Sequence, residues 1–123
     1  RADNPAVPLP RLAATSAELL CSAQASMPLS RQNTTISCVV TNAKLTKAEA
    51  TKVAQMCSDA YAHAISPTHT TNDGDAIFVM ATGEVDSMVD AVGALATCAL
   101  ERAIADAARS ARSAYGLKAA CDL

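Results

Sequence analysis

Two short apolar runs, TTISCVVT at 34–41 and AIFVMA at 76–81, each followed by a stretch of helical periodicity, constrain this chain more than any other feature. Strands alternating with helices predict an α/β layered fold in the order strand, helix, strand, helix. In the first run Ile36, Cys38 and Val40 fall on one side and Val39 opposite, so the strand is expected to be buried on both faces. The second run is continuously apolar and predicts another buried strand. Two strands and two helices leave much apolar surface uncovered. The piece from Thr34 onward therefore reads as part of a larger sheet completed by another segment or chain.

The helices carry their own punctuation. Thr46 with Glu49 three residues later forms a T-x-x-E capping box. Val53, Cys57, Ala60, Tyr61 and Ala64 then recur at helical spacing until Pro67 forbids continuation, which predicts a helix over 46–65. A longer last helix is expected to be capped by Ser87. Its core face is read as Val89, Val92, Ala96, Ala99, Ala103 and Ala107, and it is expected to end near Tyr115 with Gly116 as its stop. Residues 1–33 are different in kind. They hold four of the five prolines (Pro5, Pro8, Pro10, Pro28) and read as a linker or tail.

Composition narrows the class of function. The chain has 123 residues, enough for one domain, and 28 of them are alanine against three aromatics, so any core is built from small side chains in close contact. A net charge of −2 without clustered Lys and Arg argues against nucleic acid as a partner. No apolar run reaches the roughly 18–20 residues that cross a bilayer. The opening RADNPAVPLP lacks the basic-then-apolar order of a secretory signal, and an initial Arg suggests a fragment or a processed product. Five cysteines (Cys21, Cys38, Cys57, Cys98, Cys121) without a C-x-x-C pair make a disulfide framework or zinc site improbable. Cys38, Cys57 and Cys98 are expected to be buried, reduced hydrophobes, which points to the cytoplasm. The chain is expected to be a soluble protein.

Familiar catalytic signatures are missing: the chain has no P-loop, G-x-G-x-x-G, G-x-S-x-G or H-E-x-x-H. His63 reads as an ordinary helix-surface or interface residue. His69, in the polar stretch near two carboxylates, is a candidate for a supporting role. Asp73 and Asp75 flank Gly74 at the entrance of the second strand. Such a pair can bind a divalent cation, orient another group, or simply make a turn. The other strand start, RQNTTISCVV, bears on that choice. A Thr that opens a buried strand, after Asn and a proline-containing segment, is what a residue exposed by self-cleavage looks like. A Thr hydroxyl is a weak nucleophile unless a base takes its proton, and a free α-amine, with a reference pKa near 7.7–8.0, is such a base on the same residue. Cleavage between Asn33 and Thr34 would create it, with Asp73 and Asp75 holding the hydroxyl and amine in place as the third group orients the base in a catalytic triad.

The blocks NTTISCVVTNAKLTKAEATKVAQM and AISPTHTTNDGDAIFVMATGEV, with the Ala-rich helix running into AYGLKAACDL, resemble the self-processing N-terminal-nucleophile aminopeptidase family. That family includes the D-aminopeptidase/D-esterase, the β-peptidyl aminopeptidases and nylon-oligomer hydrolase. The resemblance covers Thr34 to Leu123, and an Asn before a Thr looks most like the nylon-oligomer hydrolase branch. It implies an amide hydrolase whose precursor cuts itself between Asn33 and Thr34, with Thr34 as nucleophile, Asp73 and Asp75 as its orienting carboxylates, and no metal or organic cofactor. It also implies a four-layer α/β/β/α sandwich, to which this chain contributes its strand-helix-strand-helix portion. Residues 1–33 would then end the α piece and 34–123 form the β piece. The implied partners are the α portion of the same precursor, which supplies the oxyanion donors, a small amide or peptide substrate, and further αβ units in a homo-oligomer. Cys38 departs from the small residue, such as Gly, expected in relatives. A self-cleaving acyltransferase of the ornithine acetyltransferase type and a non-catalytic α/β interaction module are the alternative readings.

Overall fold

The computed structural model describes residues 34–71 and 73–122. Its elements run β1 (Ile36–Ala43), α1 (Lys47–Ala64), β2 (Ala76–Val85), α2 (Val89–Ser110), and a short 3-10 turn at Ala120–Asp122. The strand-helix-strand-helix order is as the sequence predicts. β1 and β2 pair in parallel, from Ile36 beside Ala76 to Thr41 beside Ala81, with a shift in register before Ala43 meets Val85. A parallel pair cannot be closed by a tight turn, so α1 serves as the crossover between them.

Alternation along each strand divides the sheet into two unlike faces. Val39, Ile77 and Val79 pack against a core of Val53, Cys57, Ala60 and Tyr61 from α1 and Ala96 and Leu100 from α2. On the opposite face Ile36 is 70% exposed, Val40 65%, and Phe78 and Met80 60% each. Burial of both strands on both faces is therefore corrected: among the described residues the helices lie on one side only. Cysteine placement follows. Cys57 is in the core, where burial pushes its thiol pKa up despite an opposing hydrogen bond from Thr97. Cys38, on the open strand face, and Cys98 are exposed, against expectation.

α1 forms as its sequence dictates. The Thr46 hydroxyl accepts the Glu49 N–H at 3.3 Å, and the Glu49 carboxylate accepts the Thr46 N–H at 2.8 Å. These reciprocal bonds satisfy two N–H groups that the first turn otherwise leaves orphaned. The bond from the Thr46 backbone, then that from its hydroxyl, holds the Glu49 carboxyl below its ordinary value. The buried stripe is Val53, Cys57, Ala60 and Tyr61.

α2 departs from its sequence reading in three ways. Its N-cap is Met88, without a side-chain cap, rather than Ser87. Its buried positions are Gly93, Ala96 and Leu100, with Val89, Val92 and Ile104 half-buried alongside, whereas Ala99, Ala103 and Ala107 are exposed. The larger apolar side chains Leu100 and Ile104 turn the stripe toward themselves, because they remove more area from water than alanine does. The helix stops at Ser110, short of Tyr115. Gly116 instead sits with Tyr115 at the centre of a tight turn: their φ angles are 81° and 54°, and Ala114 and Leu117 exchange backbone hydrogen bonds of 2.9 and 3.1 Å across it. Paired positive φ values are the signature of a type I′ turn, which favours Gly. Among the described residues no helix is long and apolar enough to cross a membrane.

Candidate functional site at the strand entrances

Parallel pairing brings the entrances of β1 and β2 side by side, and the candidate residues lie there. Thr35 O accepts the Ala76 N–H at 2.9 Å, while the Thr35 N–H donates to Asp75 Oδ1 at 2.9 Å. One residue earlier, the Thr34 side chain lies on the backbone of Gly74. A Cβ placed on that glycine would come within 2.8 Å of Thr34 Oγ1, 3.7 Å of its Cγ2 and 3.8 Å of its Cβ. Only glycine lets the loop approach the hydroxyl this closely. Thr34, 40 residues earlier in the chain, is thus brought onto the D-G-D segment that the sequence marks out.

The two aspartates do different work. Asp73 Oδ2 accepts the Thr70 N–H at 2.7 Å, and the Asp73 N–H donates to Thr70 O at 3.1 Å, which closes the loop on itself. Asp75 turns instead toward the start of β1. Its Oδ2 accepts the Thr68 hydroxyl at 3.3 Å and lies 3.2 Å from His69 Nδ1, with the side chain only 10% exposed. Burial pushes the Asp75 carboxyl pKa up, but hydrogen bonds from the backbones of Thr35 and His69 and from the Thr68 hydroxyl, with the His69 charge, outweigh it. The net effect holds the group below its ordinary value. Asp75 is accordingly an anion at neutral pH.

Beneath the strand entrances the hydroxyl of Tyr61, a fully buried residue of α1, lies 2.7 Å from Ser37 Oγ and 3.2 Å from both Thr35 O and Ala76 O. The His69 ring stacks on the Tyr61 ring, with centroids 5.8 Å apart and 23° between planes. Tyr61 was legible in the sequence as a core position, but its hydroxyl was missed as a site feature. The available signal is general: a buried tyrosine needs a partner for its O–H, and Ser37, with Thr35 just before the strand, stands on the helix-facing side at the β1 entrance. His63 lies apart from this cluster, 3.4 Å from Glu101 Oε2 across the two helices, in keeping with the ordinary role read for it. Asn33 lies outside the described residues. Among those described, no group of three or more His, Cys, Asp or Glu is arranged to hold a metal ion. The arrangement presents a hydroxyl on a glycine platform next to an anchored carboxylate, which is a geometry for holding a nucleophile.

The comparisons agree with the resemblance read from the sequence. An uncharacterized aminopeptidase of Mycobacterium leprae (strain TN) is 36% identical over 116 residues, covering 82% of this chain and 32% of the relative. One of Mycobacterium tuberculosis (strain ATCC 25618 / H37Rv) is 33% identical over 114 residues, 77% of this chain and 33% of the relative. A 6-aminohexanoate-oligomer endohydrolase of Kocuria sp. (strain KY2) is 39% identical over 54 residues, 44% of this chain and 15% of the relative. The chain thus spans about a third of the length of the aminopeptidases it matches. No solved structure gives a significant match. The sequence profile described as Peptidase family S58 matches residues 6–121, nearly the whole chain, and the chain belongs to that family.

Proposed function

We propose that this chain is the nucleophile-bearing portion of an amide hydrolase that cleaves itself before Thr34. The observation that carries the reading is the seat of Thr34 Oγ1 on Gly74, with the next residue's N–H fixed by Asp75. In maturation, Thr34 Oγ attacks the carbonyl carbon of Asn33. The C–O bond forms, the Asn33–Thr34 C–N bond breaks, and the Thr34 nitrogen takes a proton to become an amine. Water then hydrolyses the ester, which returns the hydroxyl to Thr34 and leaves a carboxylate on Asn33. In turnover the new α-amine removes the Oγ proton as Thr34 attacks a substrate amide. It passes that proton to the leaving amine, and water releases the acyl group. Asp75, through the Thr35 N–H, and Asp73, through the loop that it closes, keep the hydroxyl in register.

On this reading residues 1–33 end the α piece and 34–123 form the β piece. The names of the relatives support an aminopeptidase or an oligomer endohydrolase, so the substrate class is a small amide or peptide. The open apolar face of β1 and β2 supports packing of a second sheet from the α piece, which would complete a four-layer sandwich and supply the oxyanion donors. Assembly of the αβ units into a homo-oligomer and a cytoplasmic location belong to the same reading.

The test is Thr34→Ala in the full-length protein, followed by intact mass and N-terminal sequencing. Wild type is expected to yield a fragment beginning Thr-Thr-Ile-Ser and to hydrolyse amides, and the variant to do neither. A variant cut at the same bond as fast as wild type would remove Thr34 from the mechanism.

A further inference from the structure

We propose that His69 is a positioning residue for the Thr34 nucleophile, acting through Asp75; this rests on the reading of Thr34 given above. Three features hold His69 beside the Asp75 carboxylate. Its Nδ1 lies 3.2 Å from Asp75 Oδ2, within ion-pair distance of the carboxylate. Its ring lies against Tyr61, whose hydroxyl reaches the backbone oxygens of both strand entrances. Its φ is 55°, in the left-handed region that residues with a Cβ seldom occupy.

The geometry explains why a donor is needed at this point. Asp75 Oδ1 holds the Thr35 N–H, and that bond lasts only while the carboxylate plane is fixed. Oδ2 has two side-chain holders, the Thr68 hydroxyl at 3.3 Å and His69 Nδ1 at 3.2 Å. Without the His69 ring the Thr68 hydroxyl is the side-chain donor left on Oδ2, beside the backbone N–H of His69, and the carboxylate plane is less firmly fixed. The Thr35 N–H then loses its partner, and the hydroxyl of Thr34, one residue away, leaves its seat over Gly74. His69 meets the site at Asp75, so its action is through that carboxylate.

Two substitutions separate the donor from the backbone. His69→Gly accepts the positive φ but removes the donor. His69→Asn tolerates the same φ and places an amide N–H where Nδ1 stands. In the full-length protein the readout is the rate at which the Thr34 N-terminus appears, with thermal unfolding measured alongside. His69→Gly is expected to slow cleavage by about ten-fold or more, since small displacements of a reacting group cost that much. His69→Asn is expected to recover most of the loss, with both variants unfolding near the wild-type temperature. Cleavage of His69→Gly at the wild-type rate, or of His69→Asn as slowly as His69→Gly, overturns the proposal. Thr34→Ala, run beside them, separates the two ideas. If it blocks cleavage while His69→Gly does not slow it, only the role of His69 falls. If Thr34→Ala is still cut, the nucleophile reading falls and the role of His69 falls with it.

Discussion

At the scale of single residues, the site is organised by who can donate and who can only accept. The Tyr61 O–H has one hydrogen and three acceptors within reach: Ser37 Oγ, Ala76 O, and Thr35 O, which already takes the Ala76 N–H. Ser37, also a donor, lets the pair of hydroxyls serve more than one acceptor where water is excluded. Asp75 is the acceptor-only counterpart, and its pH dependence follows from its partners. Its folded carboxyl lies below the ordinary value of 3.8, so its contribution to stability is fully present above that value and is lost as pH falls through the folded one. Asp75→Asn keeps an oxygen for the Thr35 N–H but removes the titration. The stability gap between wild type and variant should therefore be constant from neutral pH down to about 5 and narrow below 4. Urea midpoints of both proteins across that range measure it, and parallel curves would show that folding does not lower the Asp75 pKa. Of these residues, Thr34, Asp73 and Asp75 were legible as a strand start and a D-G-D block. His69 was legible as a candidate near the two carboxylates, but its choice of Asp75 and the partners of the Tyr61 hydroxyl were not, because they depend on how the strand entrances seat against α1, which no local pattern encodes.

At the scale of elements, the close approach of α1 and α2 depends on one missing side chain. A Cβ on Gly93 would stand 2.3 Å from Met56 Sδ and 2.6 Å from its Cε, and Thr97 Oγ1 bridges the same seam to Met56 O at 3.2 Å. Gly93→Ala should gain about 1 kcal/mol of helix propensity and lose about 0.5–1.5 kcal/mol as the flexible end of Met56 is turned aside from its rotamer. The two effects can be separated. In a Met56→Ala background the steric loss disappears, and Gly93→Ala should turn stabilising by about 1 kcal/mol. A double-mutant cycle from chemical denaturation reads the coupling, and additive effects would mean that the helices do not meet here. The same seam explains what the sequence could and could not reveal. β1, α1 and its capping box are written in local signals, alternation for one and T-x-x-E with a helical stripe for the other. The α2 stripe is not, since alanine on nearly every side leaves the choice of buried face to Leu100, Ile104 and the gap at Gly93. Gly116 looked like a helix stop for a similar reason: a positive φ suits a C-terminal cap and a type I′ turn equally.

At the scale of the whole molecule, the dominant fact is an apolar sheet face with no cover among the described residues. Ile36, Val40, Phe78 and Met80 stand on it more than half exposed, and each such side chain contributes about 1.5–3 kcal/mol when fully buried. The chain spans about a third of the aminopeptidases it matches, and on the proposed reading the α piece provides that cover. The consequence can be tested on the full-length protein with Phe78→Lys. The strand pairing and the helix-facing core, centred on Tyr61 and Val53, do not involve this side chain, so the secondary structure of the β portion should survive. The face itself should not tolerate the change, because an ammonium cannot be taken out of water there without a partner. Co-purification of the α and β portions should fall sharply, and with it amide hydrolysis, since the remaining donors are expected from the α side. Thr34 and Gly74 lie at the strand ends rather than on this face, so local contact between them should persist even as activity is lost. Retained assembly in Phe78→Lys would mean that the open face looks onto solvent in the mature protein, and that the rest of the chain joins through the helices instead.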